Sequence, residues 1–375
     1  MSHLKHAKPQ EIGIDPDRLD TACRMLEKWT RGPKPVVPGG AILVGRHGRV
    51  VPPRFFGRQG PEPSAEPIRE DSMFLLASIS KPITYLAGMQ LVERGQLNLS
   101  DQVARLIPDF AAHHKEDTLV EHLFTHTSGM PDMLPDNAEL RRKHAPLRRF
   151  VSGALDAQPL FDPGTDLKYQ SMGTLVASEL IARIEGRPIR DVLKRNLFEP
   201  LGLKDIALGS RGMERRRLVR VEIPEYQIGS DFGWNSRYWQ ELGVPWGGAF
   251  ASPEDLAVIC QLMLGDGEVR GTRLLAPATV RSMTDNRLAT MPGIDARTAA
   301  TRPWGLGWKL NHRGTRGSWG DTLGPDVFGH TGATGTMCWM DRQRDAFCIL
   351  LTSAIRSRAP WRLVHLSNTI SSAIL

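Results

Sequence analysis

The chain has little of what marks a stapled, fibrous or membrane-spanning protein. It holds four cysteines in 375 residues, Cys23, Cys260, Cys338 and Cys348. None stands at C-x-x-C spacing, which argues against a disulfide-dense scaffold, a thiolate metal cluster or a redox pair. Long apolar runs are also missing. The longest, Ala346 to Ile355 (A-F-C-I-L-L-T-S-A-I), is half the length of the ~20 residues a bilayer span needs, so no membrane span is expected. The N-terminal segment M-S-H-L-K-H-A-K-P-Q-E-I-G-I-D-P carries early cations but no apolar stretch and no small-residue cleavage site. With buried thiols in a reducing compartment, this gives a cytoplasmic protein as the expectation. G-x-S-x-G, the Walker A loop and G-x-G-x-x-G are all absent. No nucleophile elbow, nucleotide or other cofactor is therefore implied.

An excess of one charge sign is barely present: Lys+Arg 48 against Asp+Glu 41 leaves a net +7. The densest basic runs, Glu139–Phe150 and Arg211–Arg220, lack the fold motif and aromatic interleaving of nucleic-acid binders and read as solvated surface, with no nucleic-acid partner. The length exceeds the roughly 250–300 residues at which single cores stop growing, so two lobes or one domain with an insertion are expected.

Helix and strand patterns divide the chain in the same way. Asp15-Pro16 is a cap followed by a proline at the first helical position, and apolar residues recur at helical spacing to Trp29. Gly39 to Val51 reads as a hairpin turning at His47-Gly48, in a sheet covered on both faces. Thr334–Met340 and Ala346–Thr352 form a second hairpin, and a last helix runs from Trp361 to Leu375. A five-residue turn at 341–345 pairs Met340 with Ala346 and so sets Cys338 opposite Cys348 as packed thiols. Between these ends the pattern is helical: Ser78–Arg94 stopped by Gly95, Thr118–Thr125, Gly173–Ile184, Ile189–Phe198, and Pro253–Leu264 behind a Ser252/Asp255 capping box. The expected fold class is α/β (α+β). Segments 1–75 and 290–375 supply an antiparallel sheet flanked by terminal helices, 76–289 a mainly helical inserted lobe, with the cleft between them.

Three short segments carry candidate chemistry. In L-L-A-S-I-S-K-P, Ser78 opens a helix with Lys81 three residues on. Both side chains share one face, and an amine there can accept the hydroxyl proton. The same spacing occurs in Ser2–Lys5, in a polar tail, and a capping serine beside a solvated lysine is the competing reading of Ser78. F-D-P-G-T-D-L-K-Y-Q-S-M-G places Tyr169, one of only four tyrosines, before a helix, and a partly buried ring is its alternative. G-H-T-G-A-T-G sets His330, Thr331 and Gly332 on a strand whose glycines permit close backbone approach. His122 and His126 lie i, i+4 but lack the H-E-x-x-H glutamate and a third ligand, so a role in the T-H-T-S-G turn is preferred to a metal site.

Taken in order, these segments resemble the three motifs of the serine β-lactamase and penicillin-binding-protein superfamily: S-x-x-K, Y-x-N, and K-T-G or H-T-G. H-L-F-T-H-T-S-G-M-P from His122, L-F-E-P-L-G-L from Leu197, G-G-A-F-A-S-P-E-D-L-A from Gly247 and W-G-L-G-W from Trp304 are similar to its class C-like branch, which includes family VIII carboxylesterases. The resemblance implies a β-lactamase/transpeptidase-like fold. Ser78 would be the acylated nucleophile, and Lys81 and Tyr169 a shared general base, each with its pKa drawn toward neutrality. It also implies an oxyanion hole from the backbone N–H groups of Ser78 and Ala333, with His330, Thr331, Gly332 and Ser171 contacting substrate. Two positions depart from the pattern. Ser171 stands where the family has Asn, which puts good β-lactam turnover in doubt. His330 replaces a permanent lysine charge by one expected to titrate near pH 6.5.

The sequence thus points to a cofactor-independent serine hydrolase acting through an acyl-enzyme on a small-molecule ester. A β-lactamase, a D-Ala-D-Ala peptidase or D-aminopeptidase-type amidase, and an acyltransferase are alternatives. A catalytically silent scaffold is the rival of another class.

Overall fold

The structure, a computed structural model, describes residues 3–312 and 319–375. Its central sheet contains eight strands: β1 (Lys5–His6), β2 (Gly39–Arg46), β3 (Arg49–Val50), β4 (Arg54–Gly57), β5 (Lys309–Leu310), β6 (Val327–Gly332), β7 (Thr336–Asp341) and β8 (Ala346–Thr352). Along the sheet the order is β1-β3-β2-β8-β7-β6-β5, with β4 also paired to β2. Every pairing is antiparallel except that of β1 with β3. The last hairpin therefore inserts beside the first, and the two ends of the chain form one sheet.

Local chemistry explains the boundaries. Asp15 accepts the N–H groups of Asp17 and Arg18 and starts α1 (Pro16–Trp29). His47 and Gly48 both have positive φ, 52° and 70°, as the tight turn between β2 and β3 requires. Ser252 accepts the Asp255 N–H at 3.1 Å to start the helix Pro253–Leu264. The reciprocal half of the expected capping box is not made, because the Asp255 carboxylate accepts the Asp205 N–H instead.

Strand alternation divides the core into two layers. Met337, Trp339, Cys348 and Leu350 face one layer with α1 and the terminal helix Trp361–Ala373. Cys338, Met340, Phe347, Ile349 and Leu351 face the other, against which the helix Pro253–Leu264 packs. Both faces are apolar, so the strands read as continuous hydrophobic runs.

One register expectation is corrected. Asp341, not Met340, pairs with Ala346, so Cys338 lies opposite Ile349 and Cys348 opposite Trp339. The turn is one residue shorter than expected, and a one-residue slip carries a side chain to the other face of the sheet. Cys338 and Cys348 therefore point into different layers, and all four cysteines are free and buried.

The remaining chain is largely helical, around α2 (Ser80–Glu93), α3 (Val120–Thr125) and α4 (Met172–Glu185). A small sheet of Phe74–Leu75, Ala249–Ala251 and Ile206–Leu208 joins it to the segment that leads into α2. No helix among the described residues is long and apolar enough to cross a membrane.

Candidate active site

Ser78 stands in a single 3-10 turn, Ala77–Ile79, that runs directly into α2. The residue before it, Ala77, has φ +49°, a left-handed conformation that costs a non-glycine residue of order 1–3 kcal/mol and survives only when its surroundings enforce it. Those surroundings are visible. The buried Ser80 hydroxyl donates to the Ala77 carbonyl at 2.7 Å and accepts the Ala249 N–H at 2.9 Å. Thr334 and Thr336 donate to the carbonyls of Leu75 and Leu76 at 2.7 and 2.8 Å. Thr334, in the turn after β6, and Thr336, the first residue of β7, thus tie this hairpin to the segment that presents Ser78. Gly332 is the point of closest approach, where a Cβ would stand 2.3 Å from the Leu76 carbonyl oxygen and 2.1 Å from Thr336 Oγ1.

Lys81 is fully buried one helical turn from Ser78. Its Nζ donates to Ser78 Oγ at 3.3 Å and to the Trp246 carbonyl at 2.9 Å, and it lies 4.6 Å from the Tyr169 ring centroid. Burial pulls the ammonium down to about 7, opposed by the charge of Asp132. The Tyr169 hydroxyl is buried and lies toward Ser78, its hydrogen-bonding neighbour, though not within standard hydrogen-bond geometry of any described residue. Its pKa moves the opposite way from the expected one: desolvation raises it well above the ordinary phenol value. Tyr169 is therefore a neutral phenol at rest, and of the two candidate bases Lys81 alone is poised near neutrality.

The other motif residues gather around this pair. Ser78, Tyr169, His330, Thr331, Gly332 and Ala333 line one cavity of about 440 Å³, with Pro224, Trp234, Trp304 and Ile355 as apolar wall and Lys309, Arg356 and Ser357 as polar wall. The Arg356 guanidinium donates to Thr331 Oγ1 at 2.8 Å, and its backbone N–H donates to the Ala333 carbonyl at 2.8 Å.

Two expectations are corrected. His330 is buried, its Nδ1 bonded to the Thr331 carbonyl at 2.8 Å and its Nε2 without a partner among the described residues. Burial, with Lys81 adding to it, lowers its pKa to about 3, so it is a neutral imidazole and not a group that titrates near pH 6.5. Ser171 is buried and does not line the cavity. Its hydroxyl donates to Asp132 Oδ1 at 2.6 Å.

The histidine pair from the sequence has backbone partners. His122 Nδ1 accepts the Leu119 N–H at 3.2 Å, and His126 Nδ1 accepts the Gln170 N–H at 3.3 Å. His126 also packs 4.6 Å from Tyr169 between ring centroids, so it braces the tyrosine. Of the second S-x-x-K match, Ser2 lies outside the described residues.

Spacing had not singled out Trp246, Lys309, Arg356 or Asp132. Trp246 acts through its carbonyl oxygen, which leaves no mark in side-chain type. Lys309 adjoins the W-G-L-G-W stretch, the one signal that pointed toward its region.

A serine paired with a buried near-neutral amine beside the end of β6 defines the class, that of the active-site serine hydrolases with a lysine partner. The beta-lactamase family model matches residues 26–362, and the chain belongs to that family. Among curated proteins, it is 28% identical to esterase EstB of Burkholderia gladioli over 306 residues, covering 72% of this chain and 74% of the esterase. It is 29% identical to penicillin-binding protein 4 of Amycolatopsis lactamdurans, covering 72% of this chain and 68% of that protein. In three dimensions it superposes on a penicillin-binding protein homologue from Caulobacter crescentus with TM-score 0.76 at 22% identity, covering 96% of this chain and 99% of the other. A family VIII carboxylesterase matches with TM-score 0.74 at 20% identity, covering 94% and 96%. These two show the shared fold.

Proposed function

We propose that the protein is a carboxylesterase that forms an acyl-enzyme on Ser78. The observation that carries this reading is the 3.3 Å contact between Ser78 Oγ and a fully buried Lys81 amine held down at about 7. As Ser78 Oγ bonds to the ester carbonyl carbon, its proton passes to Lys81 Nζ. The carbonyl oxygen, now anionic, is met by the N–H groups of Ser78 and Ala333. When the carbon–oxygen bond to the alcohol breaks, the leaving oxygen takes a proton from the Tyr169 hydroxyl, which Lys81 replenishes. Water then attacks the acyl-enzyme by the same steps in reverse, returning Ser78 and releasing the acid.

Ester is favoured over β-lactam by Ser171. A hydroxyl that donates to Asp132 at 2.6 Å is not free to hold an acyl amide as the family's asparagine does. A second reading, an amidase of the D-Ala-D-Ala carboxypeptidase kind, is favoured by Lys309 and Arg356 on the cavity wall, which suit a substrate ending in a carboxylate. A reducing, cytoplasmic setting belongs to the proposal, since Cys23, Cys260, Cys338 and Cys348 are all free.

The test is intact-mass and peptide mass spectrometry after a fluorophosphonate, alongside turnover of p-nitrophenyl butyrate, nitrocefin and D-alanyl-D-alanine. An adduct on Ser78 with butyrate turnover and little nitrocefin turnover is expected. Faster cleavage of the dipeptide than of the ester would favour the amidase. No adduct and no turnover would leave a silent scaffold.

A further inference from the structure

One charged group beside the site has no part in the chemistry above. Asp132 follows α3 and the S-G-M-P turn, and its Oδ1 accepts the Ser171 hydroxyl at 2.6 Å. Ser171 stands two residues after Tyr169 at the N-cap position of α4, where its side chain makes no capping bond. The position where the family resemblance calls for a neutral amide thus holds a hydroxyl that fastens a carboxylate.

The environment of Lys81 gives that carboxylate its importance. The Nζ contacts are a hydroxyl, a backbone carbonyl and a ring face, and among the described residues Lys81 forms no ion pair with a carboxylate. The groups that face it come from several elements. His126, from the end of α3, and His330, from β6, are both held neutral by burial, and each feels the Lys81 charge. Tyr169 is a neutral phenol. Lys309 on β5 and Arg356 after β8 are cations, and both act on His330. Among the described residues Asp132, held by its bond to Ser171 two residues beyond the tyrosine whose ring Lys81 faces, is the carboxylate whose charge acts on both Lys81 and Tyr169. When Lys81 takes the Ser78 proton, a full positive charge is created in a pocket that otherwise holds neutral groups and cations. An opposite charge near such a site favours the charged form.

We propose that Asp132, fastened by Ser171, is a positioning residue that acts through Lys81 and supplies the counter-charge for the ammonium formed during acylation. The inference rests on the acyl-enzyme reading above. Asp132 touches neither substrate nor the reacting atoms. It sets how readily Lys81 accepts the proton and how well the resulting ammonium is held. A serine suits this arrangement because its short hydroxyl gives one directed donor, which orients a carboxylate carried on an exposed turn.

The test is a titration of Lys81 together with the pH profile of Ser78 labelling. In protein carrying ¹³C-lysine, the Lys81 resonance is assigned through Lys81→Arg and titrated by NMR, a readout that exists whether or not Ser78 becomes acylated. Asp132→Asn, close to isosteric at a surface position, is expected to move that titration about one pH unit lower. The acid limb of fluorophosphonate labelling should move with it, and the plateau rate should fall about tenfold because the new ammonium loses its counter-charge. Asp132→Glu should restore the wild-type limb, and Ser171→Ala should give a displacement in the same direction but smaller. A purely structural role would lower the thermal midpoint without moving the Lys81 titration. An unmoved titration in Asp132→Asn therefore overturns the proposal, as would a change confined to the KM of substrates bearing an amine. Absence of labelling in the wild-type protein would instead defeat the acyl-enzyme reading, leaving the NMR titration to judge Asp132.

Discussion

Gly332 and Leu76 meet backbone to backbone, with room for nothing larger than hydrogen on Gly332: a Cβ there would stand 2.3 Å from the Leu76 carbonyl oxygen. Through this contact the end of β6 sits directly beside the segment that presents Ser78. Gly332→Ala must push the two apart. Labelling of Ser78 by a fluorophosphonate is expected to slow about 100-fold, since displacements near 1 Å cost that much in positioned catalysis. Overpacking should also remove about 1–3 kcal/mol of stability. Wild-type labelling kinetics in this variant would show that the spacing does not matter.

Ser80 is expected to matter for stability as well as for rate. Its hydroxyl bonds Ala77 O and Ala249 N in the buried core, and alanine removes both bonds, leaving the Ala77 carbonyl with the Ser80 backbone N–H. Urea unfolding of Ser80→Ala should show a loss of about 1–3 kcal/mol. Because Ala77 at φ +49° also loses its restraint, acylation should slow in the same variant. An unchanged unfolding midpoint would count against the role given to this hydroxyl.

On the proposed mechanism, Ser78, Lys81 and Tyr169 should behave as one unit. Ser78→Ala and Lys81→Ala are each expected to reduce turnover of p-nitrophenyl butyrate by about 10⁴-fold or more, and the double variant by little beyond either alone. Tyr169→Phe should also fall by orders of magnitude. Additive losses in the double variant would mean that the groups act independently, and near-normal acylation in Tyr169→Phe would remove the tyrosine from proton transfer.

The pH dependence follows from two buried groups with different positions. Lys81 must be neutral to accept a proton, and burial holds it at about 7, so kcat/KM should rise as pH increases through that value and be lost below it. His330, held down at about 3, is already neutral across the range from pH 5 to 9 and should contribute no inflection there. The acid limb should therefore persist in His330→Asn, whatever happens to the absolute rate. Its disappearance in that variant would return the titration to the histidine.

Lys309 and Arg356 predict a preference among substrates. Among the described residues no carboxylate lines the cavity wall they share, and Arg356 already donates to Thr331 Oγ1. A p-nitrophenyl half-ester ending in a carboxylate is expected to show a KM about tenfold lower than a neutral ester of equal length. Lys309→Met should erase the difference while leaving neutral-ester turnover near that of wild type. Equal KM values in the wild-type protein would show that the cations do not meet the substrate.

The sheet-forming ends, the helical middle and the Ser78–Lys81 pairing were legible because each depends on local pattern. Asp15-Pro16 is a local cap signal, and Ser78 and Lys81 lie about one turn apart because three residues separate them across the 3-10 turn that runs into α2. The register of β7 against β8 was not legible. It depends on whether a turn holds four residues or five, and one residue reverses which face Cys338 and Cys348 occupy. Nor could the titration of His330 or Tyr169 be read from residue type, since both shifts come from burial by segments distant in sequence.

What the sequence by itself determined is the family and the chemistry it can attempt, because S-I-S-K, Tyr169 and H-T-G are short patterns whose spacing carries their meaning. Tertiary structure decided how that chemistry is tuned. Packing made Lys81 a near-neutral amine, kept Tyr169 and His330 uncharged, turned Ser171 from the substrate to Asp132, and brought Lys309 and Arg356 to one wall. Desolvation and charge proximity are properties of neighbours in space, and no spacing along the chain specifies them.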